Sequence, residues 1–184
     1  MEKVVFLDRD GTISEDSVNH IKSWKEFHFL PNAKQGLKLL RKHGYNVIII
    51  TNQSVIAHKM VTPAELNIIH RKMIQEIEVA GGKINAIYFC PHHPNDECSC
   101  RKPKPGLLLR AIQEHAINPK QSYMVGDRIM DVEVGKAVKC KTILIENKRG
   151  LSELQHSTMK PDYIAHDLVD VAQWIIQDYK THNK

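Results

Sequence analysis

The chain has 184 residues, of which 42% are hydrophobic and 26% charged, the size and balance of a globular protein able to bury a core. Its net charge of +5 is spread along the chain, with no Lys/Arg block long enough for a nucleic-acid arm; this argues against a nucleic-acid partner and leaves room for an anionic ligand. The longest apolar runs, such as Val47–Ile50, are strand-sized, too short for a membrane span, and the start lacks the charged, apolar and small-residue regions of a signal peptide, so a cytoplasmic location is expected.

Strand and helix patterns alternate. Lys3–Asp8 is a short apolar run ending in acid. Asn32–His43 carries Ala33, Leu37, Leu39 and Leu40 at helical spacing, with Pro31 before it and Gly44 after it, a helix start and stop. Tyr45–Thr51 holds the β-branched run Val47–Ile50, suited to a strand buried on both faces. Thr62-Pro63-Ala64-Glu65 reads as an N-cap, a first-turn proline and a capping-box acid, opening a helix that runs to about Ala80 and stops at Gly81-Gly82. A third strand follows at Ile84–Phe89, then an irregular Pro/Cys/His segment over 90–105. Helix Gly106–His115, strand Ser122–Gly126, helix Met130–Val138, strand Lys141–Ile145, a short extra strand at Asp162–Ala165 and a closing helix at Leu168–Tyr179 complete the pattern. Such alternation predicts a single α/β domain over residues 1–184, a Rossmann-like three-layer α/β/α fold with a mostly parallel sheet, right-handed crossovers and a ligand site at the carboxyl ends of the strands.

The first strand runs directly into Asp8-Arg9-Asp10-Gly11-Thr12. Carboxylates two residues apart at a strand end can face one site, and Gly11 permits a sharp turn. Ionised Asp8 is a competent nucleophile toward phosphorus. Asp10 can protonate a leaving oxygen and later deprotonate water. Crowded acids repel, which invites a divalent cation.

This segment resembles the DxDGT motif of the haloacid dehalogenase superfamily of phosphohydrolases, and three further motifs match in chain order. Thr51, in Ile48-Ile49-Ile50-Thr51-Asn52-Gln53-Ser54, matches the Thr or Ser ending the second strand, where a hydroxyl and backbone N–H groups hold a phosphoryl oxygen. Lys102, in Cys100-Arg101-Lys102-Pro103-Lys104-Pro105-Gly106, matches the cation that screens the transferring group, and Arg101 beside it suits bidentate phosphate contact. Val125-Gly126-Asp127-Arg128-Ile129-Met130-Asp131 matches the late acidic motif. The resemblance implies catalytic Asp8, Asp10, Thr51 and Lys102. It also implies a Mg2+ shell of Asp8, Asp127 and the backbone carbonyl of Asp10, oxygen ligands of the kind magnesium prefers. Asp131 reads equally as a support behind the site or as a helix N-terminal acid.

Three of the four cysteines fall within Cys90-Pro91-His92-His93-Pro94-Asn95-Asp96-Glu97-Cys98-Ser99-Cys100. Thiolates and imidazole at this spacing form a closed tetrahedral zinc site, with Cys90, His92, Cys98 and Cys100 as ligands and His93 as the alternative histidine. Zn2+ there would pin the loop, contributing on the order of 10 kcal/mol, and orient Arg101 and Lys102. Cys140 reads as a buried thiol at a strand edge.

DRDGT, TNQS and CPHH…CxCRKPKPG together resemble the zinc-containing branch of the superfamily that lacks a large cap domain, which includes heptose bisphosphate and histidinol-phosphate phosphatases; Asp16–Leu30 is more similar to the former. This implies a monomer acting on a small phosphate ester, with a pocket lined by Asp16, Ser17, Val18, Asn19, Thr51, Asn52, Gln53, Ser54, Arg101, Lys102 and Arg128. The branch usually has a glycine after TNQS and then Arg-Gly, where this chain has Val55 and His58-Lys59; the aromatic usual in its first substrate loop is replaced around Val18-Asn19. Competing readings are a non-catalytic zinc-stabilised binding module and a redox or zinc sensor; retention of Asp8, Asp10, Lys102 and Asp127 together favours the enzyme.

Overall fold

A computed structural model of the protein describes residues 3–182. Its elements, in order, are β1 (Lys3–Leu7), α1 (Ala33–Lys42), β2 (Tyr45–Asn52), α2 (Pro63–Val79), β3 (Ala86–Cys90), α3 (Gly106–Glu114), β4 (Tyr123–Gly126), α4 (Ile129–Ala137), β5 (Lys141–Ile145), α5 (Lys148–His156), β6 (Tyr163–Ala165) and α6 (Leu168–His182). The strands form one parallel sheet in the order β3-β2-β1-β4-β5-β6. β1 is therefore the switch point: the chain builds outward to one side through β2 and β3, then returns to start the other side at β4. That arrangement opens a crevice at the carboxyl ends of β1 and β4.

Alternation along the strands divides the core. Val5 and Leu7 of β1, Val47 and Ile49 of β2 and Ile143 and Ile145 of β5 pack with α1, α2 and α6 through Leu37, Leu40, Met73, Ile77, Val171 and Ile175. Val4, Phe6, Ile48 and Ile50 point to the opposite face, against Leu107, Leu108 and Ala111 of α3 and Val134 of α4. Burial on both faces explains the uninterrupted aliphatic runs of β1 and β2. The three-layer α/β/α expectation holds.

Local signals operate as read for α2: Thr62 Oγ1 accepts from Glu65 N–H, and Glu65 Oε2 accepts from Thr62 N–H. The third strand starts later than its apolar pattern, at Ala86, because Asn85 is spent on Val47 N–H through its side chain. Asp162–Ala165 forms β6 from Tyr163, and Cys140 is buried just before β5. Helix α5 has no counterpart in the sequence reading.

The long connection from β1 to α1 closes on itself. Glu15 N–H bonds to the His28 carbonyl, and Leu30 N–H to that of Ile13. Ile21 and Phe27 sink into the core, and Trp24 stacks on Phe27 at 5.1 Å between ring centroids. This loop anchors its stem and presents residues 16–20 at its tip, over the crevice. No helix among the described residues is long and apolar enough to cross a membrane.

Candidate active site

Asp8 leaves β1 still held by the sheet, its N–H donating to the Val125 carbonyl at 2.9 Å. Its Oδ1 accepts from Arg9 N–H at 2.7 Å and lies 3.0 Å from Lys102 Nζ. Lys102 also reaches Asp131 Oδ1 at 2.6 Å. The lysine is 2% exposed, so two carboxylates compensate one buried cation. Burial opposes its charge, but Asp131 and then Asp8 hold its pKa above the usual lysine value. Asp131 does both things its position suggested: it pairs with Lys102 and, at the first turn of α4, accepts from Arg128 N–H at 3.2 Å.

Carboxylate oxygens of Asp8, Asp127 and Asp131 all lie within 4.8 Å of one another. Asp127 is seated by two close approaches. The position of a β-carbon on Gly11, whose φ is +76°, is only 2.2 Å from Asp127 Oδ2, so this turn needs glycine for both conformation and space. On the other side, Asn147 Nδ2 donates to Asp127 Oδ2 at 2.7 Å while its Oδ1 caps α5 through Gly150 N–H. Burial above all, with repulsion from Asp131 and Asp127, raises the Asp8 pKa to about 8 against the pull of Lys102. Burial and Asp131 likewise raise Asp127 to about 7. Hard oxygen donors this crowded and this proton-hungry fit a divalent cation such as Mg2+.

Asp10 is in a different state. Its Oδ1 accepts from Arg9 Nε at 2.8 Å and Ser14 Oγ at 3.0 Å, and its Oδ2 from an Arg9 terminal nitrogen and Gln53 Nε2, each at 2.9 Å. Burial works upward on this carboxyl, but the Arg9 charge and these donors hold it below the ordinary carboxylate range. Gln53 Nε2 also donates to Thr51 Oγ1 at 2.8 Å, linking the end of β2 to Asp10.

A cavity of about 370 Å³ lies over these groups, walled by Asp8, Asp10, Thr51, Asn52, Gln53, Ser54, Arg101, Asp127 and Arg128, with Asp16, Ser17 and Val18 from the loop tip. Asn19 does not line it; this residue is exposed and its carbonyl accepts from Lys22 Nζ. Lys102 lies beneath the wall. Asn52 lines the cavity, but its amide is engaged with the Lys102 backbone at 3.0 and 3.2 Å. Arg128 is similarly committed, its Nε donating to both carboxylate oxygens of Glu153 at 2.8 and 3.0 Å. The sequence reading omits His20, Ile21, His58, Pro94, Met130 and Arg149 from the wall, and Asn147 from behind Asp127. Only Asn147 carried a local signal, as an N-cap residue at a strand end.

The Cys/His segment folds into one cluster. Ligand atoms of Cys90, His92, Cys98 and Cys100 lie within 4.8 Å of one another, and all four cysteines of the chain are free thiols. Cys90 Sγ is 3.7 Å from Cys98 Sγ and 3.3 Å from Cys100 Sγ, and His92 Nδ1 is 3.1 Å from Cys100 Sγ. A tetrahedral site with ~2.3 Å arms has edges of about 3.8 Å, so the group is near the size of a zinc cage. His93 is occupied elsewhere: its Nδ1 accepts from Asn95 N–H. Burial pushes Cys90 and Cys100 upward, and the Cys90 and Cys98 thiols push Cys100 further, to about 12, a penalty that a bound cation reverses.

Three clustered acids that one buried lysine only partly offsets, at the switch point of a parallel sheet, suit a phosphate-handling hydrolase, and comparison with known proteins agrees. A HAD-hydrolase-like family model matches residues 99–171. The chain is 35% identical over 179 residues to a D-glycero-beta-D-manno-heptose-1,7-bisphosphate 7-phosphatase of Neisseria meningitidis serogroup A, covering 96% of each protein. It is 34% identical to the enzyme of that description from Pseudomonas aeruginosa, covering 95% of this chain and 98% of that one. The crystal structure of D,D-heptose 1,7-bisphosphate phosphatase from B. bronchiseptica, complexed with magnesium and phosphate, superposes with a TM-score of 0.91 at 32% identity, over 96% of this chain and 99% of that one. The chain belongs to the HAD-like hydrolases. Within that family it is a phosphatase.

Proposed function

We propose that this phosphatase hydrolyses one phosphomonoester of a sugar bisphosphate, D-glycero-D-manno-heptose 1,7-bisphosphate, through an aspartyl-phosphate on Asp8. The observation that carries the reading is the gathering of Asp8, Asp127 and Asp131 within 4.8 Å, with Lys102 3.0 Å from the Asp8 carboxylate. The substrate follows from similarity to relatives of that activity over nearly the whole chain.

Asp8 attacks phosphorus through a carboxylate oxygen, forming an O–P bond as the ester P–O bond breaks. Asp10, ionised at rest beside Arg9, takes up the proton carried by the phosphomonoester monoanion and passes it to the departing sugar oxygen. Asp10 then takes a proton from water, whose oxygen attacks the phosphoryl group, releasing inorganic phosphate and regenerating the Asp8 carboxylate. Lys102 favours the ionised form of Asp8 against burial and the neighbouring acids, without overcoming them by itself, and screens the transferring group. Thr51, with backbone N–H groups of the segment it opens, binds phosphoryl oxygens; Arg101 and the loop tip at Asp16, Ser17 and Val18 bind the rest of the substrate. Asp8, Asp127 and the Asp10 carbonyl would hold Mg2+, which when bound supplies positive charge against the phosphoryl oxygens. Zn2+ at Cys90, His92, Cys98 and Cys100 would be structural.

The test is phosphate release from a metabolite panel containing heptose bisphosphate, histidinol phosphate, other sugar phosphates and p-nitrophenyl phosphate, with magnesium, for the wild type and Asp8→Asn. Expected are a preference for the heptose bisphosphate and no turnover by a folded Asp8→Asn protein. Equal rates for the two proteins would overturn the role of Asp8; a preference for another phosphate would overturn the substrate alone.

A further inference from the structure

One buried polar group outside the catalytic motifs reaches Asp10 through a second side chain. His70 lies on α2, 5% exposed, with its ring 6.0 Å from that of Phe89. Its Nε2 is 3.1 Å from a terminal nitrogen of Arg9. Arg9 is itself 1% exposed, and its Nε and other terminal nitrogen form the two-pronged pair with Asp10. A guanidinium has donors and no acceptor, so it can bridge two acceptors in a fixed plane. One prong-pair is fixed by Asp10 and the remaining terminal nitrogen by His70.

We propose that His70 is a positioning residue of the phosphatase: acting through the planar guanidinium of Arg9, it sets the orientation in which the Asp10 carboxyl meets the leaving oxygen of the substrate. Three features carry this. Arg9 is buried, so its side chain cannot be oriented by solvent. The arginine fork is rigid, so where one end is held the other is aimed. The imidazole is kept neutral, its pKa lowered to about 3 by burial and then by the Arg9 charge, which leaves a ring nitrogen able to accept from Arg9. A helix that carries no active-site motif thereby reaches the acid–base group, and proton transfer demands hydrogen-bond geometry at the reacting atom. A merely structural buried pair would stabilise the fold without favouring one kind of substrate over another.

The inference rests on the reading of Asp10 as the proton donor, and the test separates the two. Wild type, His70→Leu, His70→Gln, Arg9→Lys and Asp10→Asn are assayed with magnesium on aryl phosphates running from p-nitrophenyl to phenyl, whose phenols are progressively poorer leaving groups. Loss of a correctly aimed acid should matter most for the poorest leaving group. His70→Leu is expected to lower kcat/KM, which reports phosphoryl transfer and not the shared water step, about 10- to 100-fold on phenyl phosphate and less than about threefold on p-nitrophenyl phosphate. His70→Gln, whose amide oxygen can accept from Arg9, should restore most of the loss. Arg9→Lys keeps the charge without the fork and should show the same selectivity, which preserves the test should His70→Leu not fold. An equal loss across the series, or none, in the His70→Leu and Arg9→Lys proteins overturns the inference. If Asp10→Asn shows the steeper dependence and those variants do not, only the inference falls. If Asp10→Asn loses activity equally across the series, the proton-donor reading falls and the inference with it.

Discussion

The side-chain amide of Asn52 holds the Lys102 backbone at both ends, Oδ1 accepting from its N–H at 3.0 Å and Nδ2 donating to its carbonyl at 3.2 Å. The lysine comes from the loop after β3, yet its position is set by the end of β2. Asn52→Ala leaves a buried N–H and C=O without these partners, each worth about 1–3 kcal/mol. The expected outcome is a lower unfolding midpoint in urea and a fall in kcat larger than any rise in KM, since Lys102 would shift against Asp8. An unchanged kcat would show that Lys102 does not depend on Asn52.

Magnesium dependence should vary with pH in a defined direction. Without a cation, burial raises Asp8 to about 8 and Asp127 to about 7, above the ~3.9 of an unfolded aspartate. The folded state then binds more protons than the unfolded one between those limits, so stability is greatest at low pH in that window and is lost as pH rises through 7 to 8. Thermal melts in magnesium-free buffer should therefore fall in Tm from about pH 5 to pH 8. Added Mg2+ should raise Tm more at the upper end, where it no longer competes with protons. A magnesium effect independent of pH would contradict the cluster described.

The Cys/His cage should couple to catalysis through chain connectivity, because Cys100 precedes Arg101 and Lys102 directly. Cys98→Ser is expected to lower zinc content measured by elemental analysis, to lower Tm, and to reduce kcat even with magnesium saturating. The thiols of the wild type should react slowly with a thiol reagent until a chelator is added. Immediate reaction of all the thiols in the zinc-loaded protein would argue against a closed site.

Arg128 and Glu153 should behave as one unit. Their pair joins the start of α4 to α5 with side chains 18% and 29% exposed. Arg128→Gln and Glu153→Gln are each expected to lower stability modestly. The double variant should be little worse than either single one, a non-additivity of about 1 kcal/mol, measured by denaturant unfolding. Full additivity would free Arg128 for a role on the cavity wall.

How much of this could be read from the chain depends on the range of the interaction. The Val47–Ile50 run and the Thr62–Glu65 cap are decided within a few residues and were legible, as were the acids of DRDGT, because the backbone itself carries them to a strand end. The Cys/His grouping was legible from spacing, although the choice of His92 over His93 required the turn that engages His93 with Asn95. Helix α5 was not legible: its apolar face is Leu151 and Leu154 alone, and of these Leu154 packs partly buried on the core, too short a stripe to announce a helix. The engagements of Asn52 and Arg128, and the place of His70, were not legible because their partners lie 50, 25 and 61 residues away. Nothing in a local window tells an amide that will face a substrate from one that will hold a backbone.

The loop from β1 to α1 is anchored by Ile21 and Phe27 and projects its tip over the cavity. Val18, at that tip, is 95% exposed, in contact with neither the core nor the buried acids. On the proposed reading, in which this tip meets the substrate, changes there redirect which molecule is admitted and leave the reaction itself intact, so selectivity and chemical competence are free to diverge at separate rates over evolutionary time.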